Sequence, residues 1–419
     1  MERLIIKGGN QLHGEVNCSG AKNSGLLILA STILLDTPAR IGNLPHLQDI
    51  TTMLELLNSM GALINFDESG YIEVDSSNIT VPEARYELVK TMRASVLVMG
   101  PLVAKYGNAK VSTPGGCTIG VRPIDIHLKA LAKLGVNYRI INGYVHANSK
   151  KKLKGAKIKF SKISVGATEN LIIAASMAEG TSTLSNCAIE PEIKDLTNFL
   201  KSAGANIKWI GKRTCQIIGV NSLNQTTYSV MGDRIETGTF CVAATLAKGD
   251  LVIKNFNPNV IQTELNLLKK VGAKIKISKN EIIIKGPKKI KNISNIKTKE
   301  YPNFPTDLQA QFMVLLCKAN GRSTITESIF ENRFMHVAEL RRLGAKIIVK
   351  DNKATIEGKT EFLGAELMSS DLRASVALVL AAIVAKGQST INRIYHLDRG
   401  YEKIENKLKK IGVKIKRLS

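Results

Sequence analysis

The segment Pro114-Gly-Gly-Cys-Thr-Ile-Gly-Val-Arg-Pro123 combines residue types that can do chemistry. Cys117 lies five residues before Arg122, and a nearby guanidinium favours the thiolate form of a cysteine. This thiol can therefore serve as an acid, a base or a nucleophile. The glycines around it predict a mobile loop that covers a site. Cys241 and Cys317 lie within apolar helices, so we interpret them as inert packing.

A second group of polar residues lies where six very apolar helices are predicted to begin. These starts are Lys22-Asn23, Arg93, Ser164-Val165-Gly166, Asp233-Arg-Ile-Glu236, Asp307 and Arg373. Helix capping accounts for the Ser, Asp and Asn residues, and it is the preferred interpretation for Thr168 and Asp371. A cation at the positive end of a helix is unfavourable unless an anion lies between them. Arg93 and Arg373 therefore predict a site for phosphate or carboxylate.

These helices belong to a repeat that occurs six times. In each repeat an amphipathic helix ends at a glycine, which is followed by a β-like stretch in which charged and apolar residues alternate. The glycines are roughly 70 residues apart, at Gly61, Gly135, Gly204, Gly272, Gly344 and Gly412. The other helix of each repeat is apolar nearly all round and must be buried. A chain of 419 residues is long enough for two domains, so six repeats predict three in each.

The formal charge of +24 raises the alternative of a nucleic-acid-binding protein. Residues 269–299 hold eleven lysines and the single acid Glu281. These lysines alternate with isoleucine and have almost no aromatic residues among them, so platforms for base stacking are missing. A solvated basic surface is the preferred interpretation.

The cysteines and the apolar segments indicate in which cellular compartment the protein is expected. Six cysteines without a Cys-x-x-Cys pair argue against a zinc site or a disulfide framework, and we expect free thiols. The N-terminus lacks the apolar core of a signal peptide, and the longest apolar stretch, Val376 to Ala385, is half a membrane span. We expect a cytoplasmic protein.

Two aromatic-flanked turns carry the remaining candidates. Surface salt bridging is the simpler interpretation of Arg333 and Arg399. His336 and His396 have no metal or triad partner at a recognisable spacing, so a structural hydrogen bond is expected for each. No Walker, Rossmann or kinase motif is present.

With these residues in view, the sequence resembles the enolpyruvyl transferases over essentially its whole length. The motifs that carry the resemblance are Gly20-Ala-Lys-Asn23, Arg93-Ala-Ser95, Gly115-Gly-Cys-Thr-Ile-Gly-Val-Arg-Pro123, Glu190-Pro-Glu192, Asp233-Arg-Ile-Glu-Thr-Gly238, Tyr301-Pro-Asn-Phe-Pro-Thr-Asp307, Phe330-Glu-Asn-Arg-Phe-Met-His336, Asp371-Leu-Arg373 and Asp398-Arg-Gly-Tyr401. The resemblance implies an α/β fold, a two-domain inside-out α/β barrel of six βαβαββ repeats with parallel helices inside and sheets outside. It implies domains at 22–231, with the cysteine loop, and at 1–21 plus 232–419.

The resemblance also implies an activity. Phosphoenolpyruvate would give its enolpyruvyl group to the 3-hydroxyl of UDP-N-acetylglucosamine, without metal or organic cofactor. Cys117 would protonate the methylene carbon and could form an adduct with it, which implies sensitivity to fosfomycin-type alkylation. Asp307 would take the hydroxyl proton, and Lys22 and Arg399 would complete the catalytic set. Nucleic acid and membrane are not expected as partners, and the chain is expected to be a monomer or weak oligomer.

Binding residues are likewise implied by position. For phosphoenolpyruvate they are Lys22, Asn23, Arg122, Arg373 and Arg399. For the UDP-sugar they are Asn23, Arg93, Arg122, Pro123, Ile124, Asp125, Ile126, Lys162, Ser164, Val165, Gly166, Asp307 and Ile329. Two alternatives stay open: the family member acting on shikimate 3-phosphate, which lacks a cysteine loop of this kind, and a basic scaffold that binds RNA without catalysis.

We expect Cys117 to react with iodoacetamide faster than the other five cysteines, because Arg122 favours its thiolate. Mass mapping after brief labelling measures the distribution of the label. A label found mainly on other cysteines would contradict the assignment, since loop flexibility alone predicts no such selectivity.

Overall fold

The computed structural model describes residues 2–90, 92–113 and 124–418. They form two compact units, an N-terminal unit within residues 20–231 and a C-terminal unit of residues 2–19 and 232–418. The chain first passes from the C-terminal unit into the N-terminal unit after Ser19, two residues earlier than the sequence predicted. Ala21 belongs to the N-terminal unit because its backbone N–H donates to the carbonyl of Met231 at 2.7 Å.

Each unit contains three four-stranded sheets of one topology. In spatial order, the strands of the N-terminal unit are Thr226–Ser229, Ala39–Gly42, Ile72–Asp75 and Leu63–Phe66; Glu83–Ala84, Asn108–Ser112, Tyr144–Asn148 and Asn137–Ile141; and Lys157–Lys159, Thr181–Ser185, Thr214–Ile218 and Asn206–Gly211. Those of the C-terminal unit are His13–Asn17, Asp250–Lys254, Glu281–Lys285 and Lys274–Ile277; Asn295–Lys297, Ser323–Thr326, Lys353–Glu357 and Lys346–Lys350; and Glu366–Met368, Gln388–Asn392, Arg3–Lys7 and Lys414–Leu418. In every sheet the first pair is parallel and the others are antiparallel.

Strands exchanged along the chain complete three of the sheets. Arg3–Lys7 pairs with Gln388–Asn392 and Lys414–Leu418, so the N-terminus closes the last repeat. His13–Asn17 runs parallel to Asp250–Lys254 in the fourth repeat. Thr226–Ser229 supplies the parallel strand of the first repeat. The predicted βαβαββ repeat is confirmed, with one strand supplied from elsewhere in the chain in the first, fourth and last repeats.

The outer helices carry the predicted amphipathic pattern and end at the predicted glycines. They are Gln48–Met60, Asp125–Lys133, Pro191–Ser202, Gln262–Lys270, Val337–Arg342 and Ile404–Lys410. All six repeat glycines have a left-handed backbone, with φ between 98° and 116°. Glycine adopts this conformation without steric cost, so it ends the helix and turns the chain into the next strand.

The inner helices are buried over most of their length, and each begins, with its preceding 3₁₀ turn where there is one, within one residue of its predicted start. They are Lys22–Ser31, Met99–Tyr106 after the 3₁₀ turn Arg93–Val98, Val165–Ala175, Arg234–Leu246, Gln309–Cys317 after the 3₁₀ turn Thr306–Leu308, and Leu372–Val384. The three inner helices of each unit pack on one another, directly or through these turns, and on the surrounding sheets. No helix among the described residues is long and apolar enough to cross a membrane.

Side-chain caps fix three of the starts. Asp233 accepts from the N–H groups of two residues in the first turn of its helix, and Asp371 does the same. Ser164 accepts from the N–H of the residue three positions on, at 3.3 Å. The capping interpretation of Thr168 is wrong, because its hydroxyl donates to the carbonyl of Ser164 and accepts from the N–H of Ala188.

A close helix contact in the N-terminal unit gives a stability prediction. A Cβ on Gly100 would lie 2.1 Å from Oδ1 and 2.7 Å from the carbonyl oxygen of Asn170. Gly100→Ala should destabilise the unit by about 1–3 kcal/mol through overpacking, which exceeds the gain of about 1 kcal/mol in helix propensity. Urea unfolding measures the difference. Ala104→Ser, at a half-buried position of the same helix, is the control, and equal stability of the two variants would contradict the packing argument.

Candidate active site

Asp307 lies between two arginines at the polar end of the C-terminal helices. Its Oδ1 accepts from Arg333 Nη2 at 2.8 Å, and its Oδ2 accepts from Arg373 Nη2 at 3.0 Å. Both arginine side chains are only 6% exposed, whereas the aspartate side chain is 28% exposed. The carboxylate is therefore held in a fixed orientation and remains open to solvent on one side.

Electrostatics decide the protonation of this cluster. Burial alone would raise the pKa of the Asp307 carboxyl, but Arg373, Arg333 and then Arg234 outweigh it and hold that pKa well below its ordinary range. Burial alone would lower the pKa of Arg373, and Asp307 more than offsets this. The site is an ionised carboxylate between two permanent cations, with excess positive charge.

Buried, hydrogen-bonded side chains pack against Arg373 and hold it in place. Its guanidinium carbon lies 5.8 Å from the ring centroid of Tyr401. The Tyr401 hydroxyl lies 2.9 Å from Thr239 Oγ1 and accepts from Gln311 Nε2 at 3.3 Å. Gln311 also donates to the carbonyl of Asp307 at 3.0 Å. Thr239, Gln311 and Arg373 come from the three inner helices, so these contacts fix the helix starts relative to one another.

The second terminal nitrogen of Arg373 is the least satisfied group of the cluster. Nη1 is buried and has no hydrogen-bond partner among the described residues. A buried guanidinium N–H without an acceptor is costly, and a phosphate or carboxylate oxygen is its natural partner. The geometry thus supports the anion site that arginine at this helix start predicted.

Glu327 connects the Asp307 turn to the predicted sugar-side residue Ile329. One oxygen of this buried carboxylate accepts from Thr306 Oγ1 at 2.8 Å. Its other oxygen accepts from Thr298 Oγ1 and from the N–H of Ile329, both at 2.8 Å. Glu327 therefore holds Ile329 beside the turn that contains Asp307, at the start of the helix Gln309–Cys317.

In the N-terminal unit, Lys22 begins the first inner helix with its side chain buried. Its Nζ lies 3.0 Å from Oδ2 of Asp49, which is in the first turn of the outer helix Gln48–Met60. Asn23, the next residue, is exposed. Asp195 steadies the same helix by accepting from the hydroxyls of Ser24 and Tyr228. Lys22 and Asn23 thus present one paired cation and one exposed amide side chain at this start.

His127, the residue after the predicted UDP-sugar segment 122–126, lies against the predicted helix start 164–166. A Cβ on Gly166 would lie 2.9 Å from Cε1 of His127. His127 Nδ1 lies 3.4 Å from Asn170 Nδ2, and burial lowers the His127 pKa to about 4. Glycine at position 166 is therefore required by the imidazole beside it, a reason independent of phosphate approach. Val165 is 39% exposed and Ile126 is in the core.

Three buried carboxyl groups lie next to this start. Burial, followed by the charges of Glu190 and Glu192, raises the pKa of Glu169 well above its ordinary range. Glu190 and Glu192 come from the start of the outer helix Pro191–Ser202. The neutral form of Glu169 is favoured, so the cluster carries less negative charge than three carboxyl groups suggest.

Other predicted residues have diverse positions. Cys117, Arg122 and Pro123 lie outside the described residues. Arg93 begins its predicted helix turn, Lys162 and Asp125 are exposed, and Arg399 is half-buried two residues before Tyr401. The other five cysteines are buried, and burial raises the pKa of Cys187, Cys215 and Cys317 to about 12 each.

The interpretation of Arg333 as a surface salt bridge is wrong. Its side chain is buried beside Phe330, 5.5 Å from the ring centroid, and pairs with Asp307. The signal for this was present in the sequence, since an arginine flanked by Phe330 and Phe334 is in an apolar setting. Burial lowers the pKa of His336 to about 4, against an opposing hydrogen bond with the Arg333 backbone, so the expected structural hydrogen bond is present. Its Nε2 has no partner among the described residues.

Tyr401, Gln311 and Glu327 were not predicted as parts of the site. Each acts through hydrogen bonds to side chains distant in sequence, which no local pattern reports. The described residues contain no group of three His, Cys, Asp or Glu side chains suited to a metal ion.

This arrangement of six repeats with an anion site at the helix starts matches a known family. Residues 6–408 match the family model described as EPSP synthase (3-phosphoshikimate 1-carboxyvinyltransferase). The chain belongs to the enolpyruvyl transferase family. It has a TM-score of 0.90 and 26% identity to the enolpyruvyl transferase NikO from Streptomyces tendae, over 99% of this chain and 98% of that one. An EPSP synthase from Acinetobacter baumannii, 18% identical over the full length of both chains with a TM-score of 0.79, shares the fold.

Full-length relatives are more similar in sequence. The chain is 62% identical, over 100% of both proteins, to the UDP-N-acetylglucosamine 1-carboxyvinyltransferase of Pelagibacter ubique (strain HTCC1062). It is 48% identical to the enzyme of that name from Coxiella burnetii (strain Dugway 5J108-111), over 100% of this chain and 96% of the relative. The sequence similarity to these transferases therefore extends over the whole chain.

Removing the charge of Asp307 should expose how much the cluster depends on it. Asp307→Asn leaves Arg333 and Arg373 without a counter-charge, and breaking a buried ion pair costs about 3–5 kcal/mol. Thermal and urea unfolding measure the loss, and millimolar phosphate should recover part of it by binding the folded state. Asp250→Asn, which breaks an exposed pair with Lys285, should change stability by less than about 0.5 kcal/mol. Equal effects of the two substitutions would show that the cluster is not a coupled site.

Proposed function

We propose that this protein transfers the enolpyruvyl group of phosphoenolpyruvate to the 3-hydroxyl of UDP-N-acetylglucosamine and releases phosphate. This reaction is the first committed step in making peptidoglycan precursors. The observation that carries the proposal is 62% identity over both full lengths to a relative named UDP-N-acetylglucosamine 1-carboxyvinyltransferase. The loop Gly115-Gly-Cys117 supports this acceptor over shikimate 3-phosphate.

The Asp307 cluster suits the addition step. Asp307 would take the proton of the sugar hydroxyl as that oxygen attacks C2 of phosphoenolpyruvate, while the Cys117 thiol gives a proton to C3. Arg373 would bind the phosphate or carboxylate through the buried Nη1 that lacks a partner among the described residues. An anion there would draw Arg373 from Asp307 and make the carboxylate a stronger base.

Elimination would follow, in which the Cys117 thiolate left by the addition step takes a proton from C3 and the proton held by Asp307 passes to the departing phosphate. Loss of a proton from C3 re-forms the double bond as the C2–O bond to phosphate breaks, which leaves the enolpyruvyl ether and inorganic phosphate. Lys22, Arg122 and Arg399 would stabilise the departing phosphate and the carboxylate. Lys22 can change partner because Asp49 holds its ammonium group at the helix start through one contact.

The UDP-sugar would bind mainly to the N-terminal unit. Ser164, Val165 and Gly166 form the start of a long inner helix, where backbone N–H groups favour a diphosphate. Exposed Asn23 and Lys162 would contact the sugar and a phosphate, and Arg93, Arg122 and residues 123–126 would complete the site. Ile329 is assigned to the UDP-sugar by the same resemblance.

No cofactor is needed for these steps, and the substrates are small molecules of the cytoplasm. A basic scaffold that binds RNA without catalysis remains the alternative from another class, motivated by the charge of +24. Turnover distinguishes the two, because a scaffold releases no phosphate.

Purified protein should release phosphate only when phosphoenolpyruvate and UDP-N-acetylglucosamine are both present, as measured by a colorimetric phosphate assay. Cys117→Ser and Asp307→Ala should each lower kcat by about 10²–10⁴-fold, the usual contribution of a general acid or base. Cys187→Ser is the matched control and should retain turnover, because serine can donate to the Leu184 carbonyl as the thiol does. Normal turnover in Cys117→Ser would contradict the role of Cys117 as proton donor. If the unaltered protein released no phosphate, the proposed function itself would be wrong.

A further inference from the structure

One part of the N-terminal unit departs from the basic character of the chain. Residues 41–82 contain no lysine or arginine, although the chain has 59. The same residues contain six acids, which are Asp49, Glu55, Asp67, Glu68, Glu73 and Asp75. Asp49 is paired with Lys22, and Asp67 is paired with Arg40. The first repeat is thus an acidic region on a protein of charge +24.

This acidic region contains an apolar groove. It lies between the outer helix Gln48–Met60 and the strand Leu63–Phe66, and its volume is about 250 Å³. Its apolar lining includes Leu44, Ile50, Leu54, Ile64, Phe66 and Ile72. The side chains of Leu63 and Phe66 are 64% and 70% exposed. A large exposed apolar surface rimmed by charge is typical of an interaction site.

The strand beside the groove is also an unprotected sheet edge. Within the described residues, Leu63–Phe66 pairs on one side only, with Ile72–Asp75. The equivalent edge strands of the other five sheets each contain a lysine or arginine: Asn137–Ile141, Asn206–Gly211, Lys274–Ile277, Lys346–Lys350 and Lys414–Leu418. Charged side chains discourage the addition of another strand unless the incoming surface supplies the opposite charge. Leu-Ile-Asn-Phe has none.

The same chain carries a surface with the opposite properties. The edge strand Lys274–Ile277 has the sequence Lys-Ile-Lys-Ile and lies within residues 269–299, which hold eleven lysines and one acid. Neither Lys274 nor Lys276 forms an ion pair with a described residue. Ile277 and Ile283 are 41% and 38% exposed. This edge offers unpaired backbone groups, apolar side chains and positive charge together.

We propose that two copies of this protein associate by pairing the strand Lys274–Ile277 of one copy with Leu63–Phe66 of the next. Because side chains alternate along a strand, Ile275 and Ile277 can lie on the groove face, beside Ile64 and Phe66. Lys274 and Lys276 then lie on the opposite face. That face carries Glu73 and Asp75, which are paired in register with Asn65 and Leu63.

The charges favour this occupant. The lysines of the added strand and the acids of Ile72–Asp75 lie on one face of the extended sheet with Leu63–Phe66 between them, about 10 Å apart at the backbone, and long lysine side chains can bring their charge toward those acids. Overall repulsion between two copies of charge +24 is screened beyond about 8 Å at physiological salt, so the local contact decides the outcome. Both surfaces are present in one chain, so a second copy of this protein can fill the groove without any other partner.

The contact joins two different surfaces and is therefore heterologous, which generates open chains or rings. Two strands of four residues and one groove form a small interface, so the association is weak and depends on concentration. Neither surface contains a residue assigned to the reaction. The association is consequently independent of the proposed function.

Sedimentation equilibrium over a concentration series at physiological salt tests the proposal. The average mass should rise above 45.6 kDa with concentration and pass that of a dimer. Phe66→Lys removes the acceptor edge and Lys276→Glu removes the donor charge, and each should weaken association about tenfold or more. Ile140→Lys is the matched control, because Ile140 is 59% exposed on an equivalent edge strand, and it should associate like the unaltered protein.

Mixing the two variants gives the decisive result. Phe66→Lys keeps an intact donor strand and Lys276→Glu keeps an intact acceptor, so an equimolar mixture should form 1:1 dimers and nothing larger. A mixture that stays monomeric while the unaltered protein associates would indicate a symmetric groove-to-groove contact and overturn the proposal. So would an unaltered protein that is monomeric throughout yet binds a synthetic peptide of residues 270–286, which would assign the groove to a basic segment of another protein. Thermal unfolding confirms that each variant is folded.

Discussion

A helix that is apolar on every face has no stable position at a surface, and six such helices determine the rest of this structure. Each must be surrounded, so three pack together in each unit and the sheets and amphipathic helices enclose them. Leu372–Val384 is typical, with Arg373 through Ile383 buried. Because the flanks of these helices are mainly apolar, most of their charged side chains lie near their starts.

Charge at those ends requires compensation, because an isolated buried cation is expensive. Asp307 supplies it for Arg333 and Arg373, and Asp49 supplies it for Lys22. Asp307 does not satisfy all of Arg373, whose Nη1 has no hydrogen-bond partner among the described residues. This buried N–H and the positive ends of the helices are the groups on which the proposed anion site rests.

The chain leaves the C-terminal unit after Ser19, and hydrogen bonds within that unit hold Ser19 in place. The N–H of Ser19 donates to Glu236 Oε2 at 2.7 Å, and Lys407 Nζ donates to Glu236 Oε1 at 2.6 Å. The Ser19 hydroxyl donates to Glu402 Oε2 at 2.6 Å. Burial raises the pKa of Glu236, and Lys407 opposes that rise. The last residue before the chain leaves the unit is therefore held by the first turn of the helix Arg234–Leu246, close to the cap Asp233.

Local patterns in the sequence predict the repeat and the helix starts, and the structure has both. Periodicity placed each inner helix within one residue, and the left-handed backbone at Gly61 and its five equivalents needs glycine. Arginine at the start of a helix indicated an anion without any knowledge of its neighbours. Only the tertiary structure decided that Arg333 is buried against Asp307, that Tyr401 supports Arg373 and that Thr226–Ser229 closes the first sheet. These contacts join residues far apart in the chain, and the free energy that selects them comes from burial in a common core, which no local pattern contains.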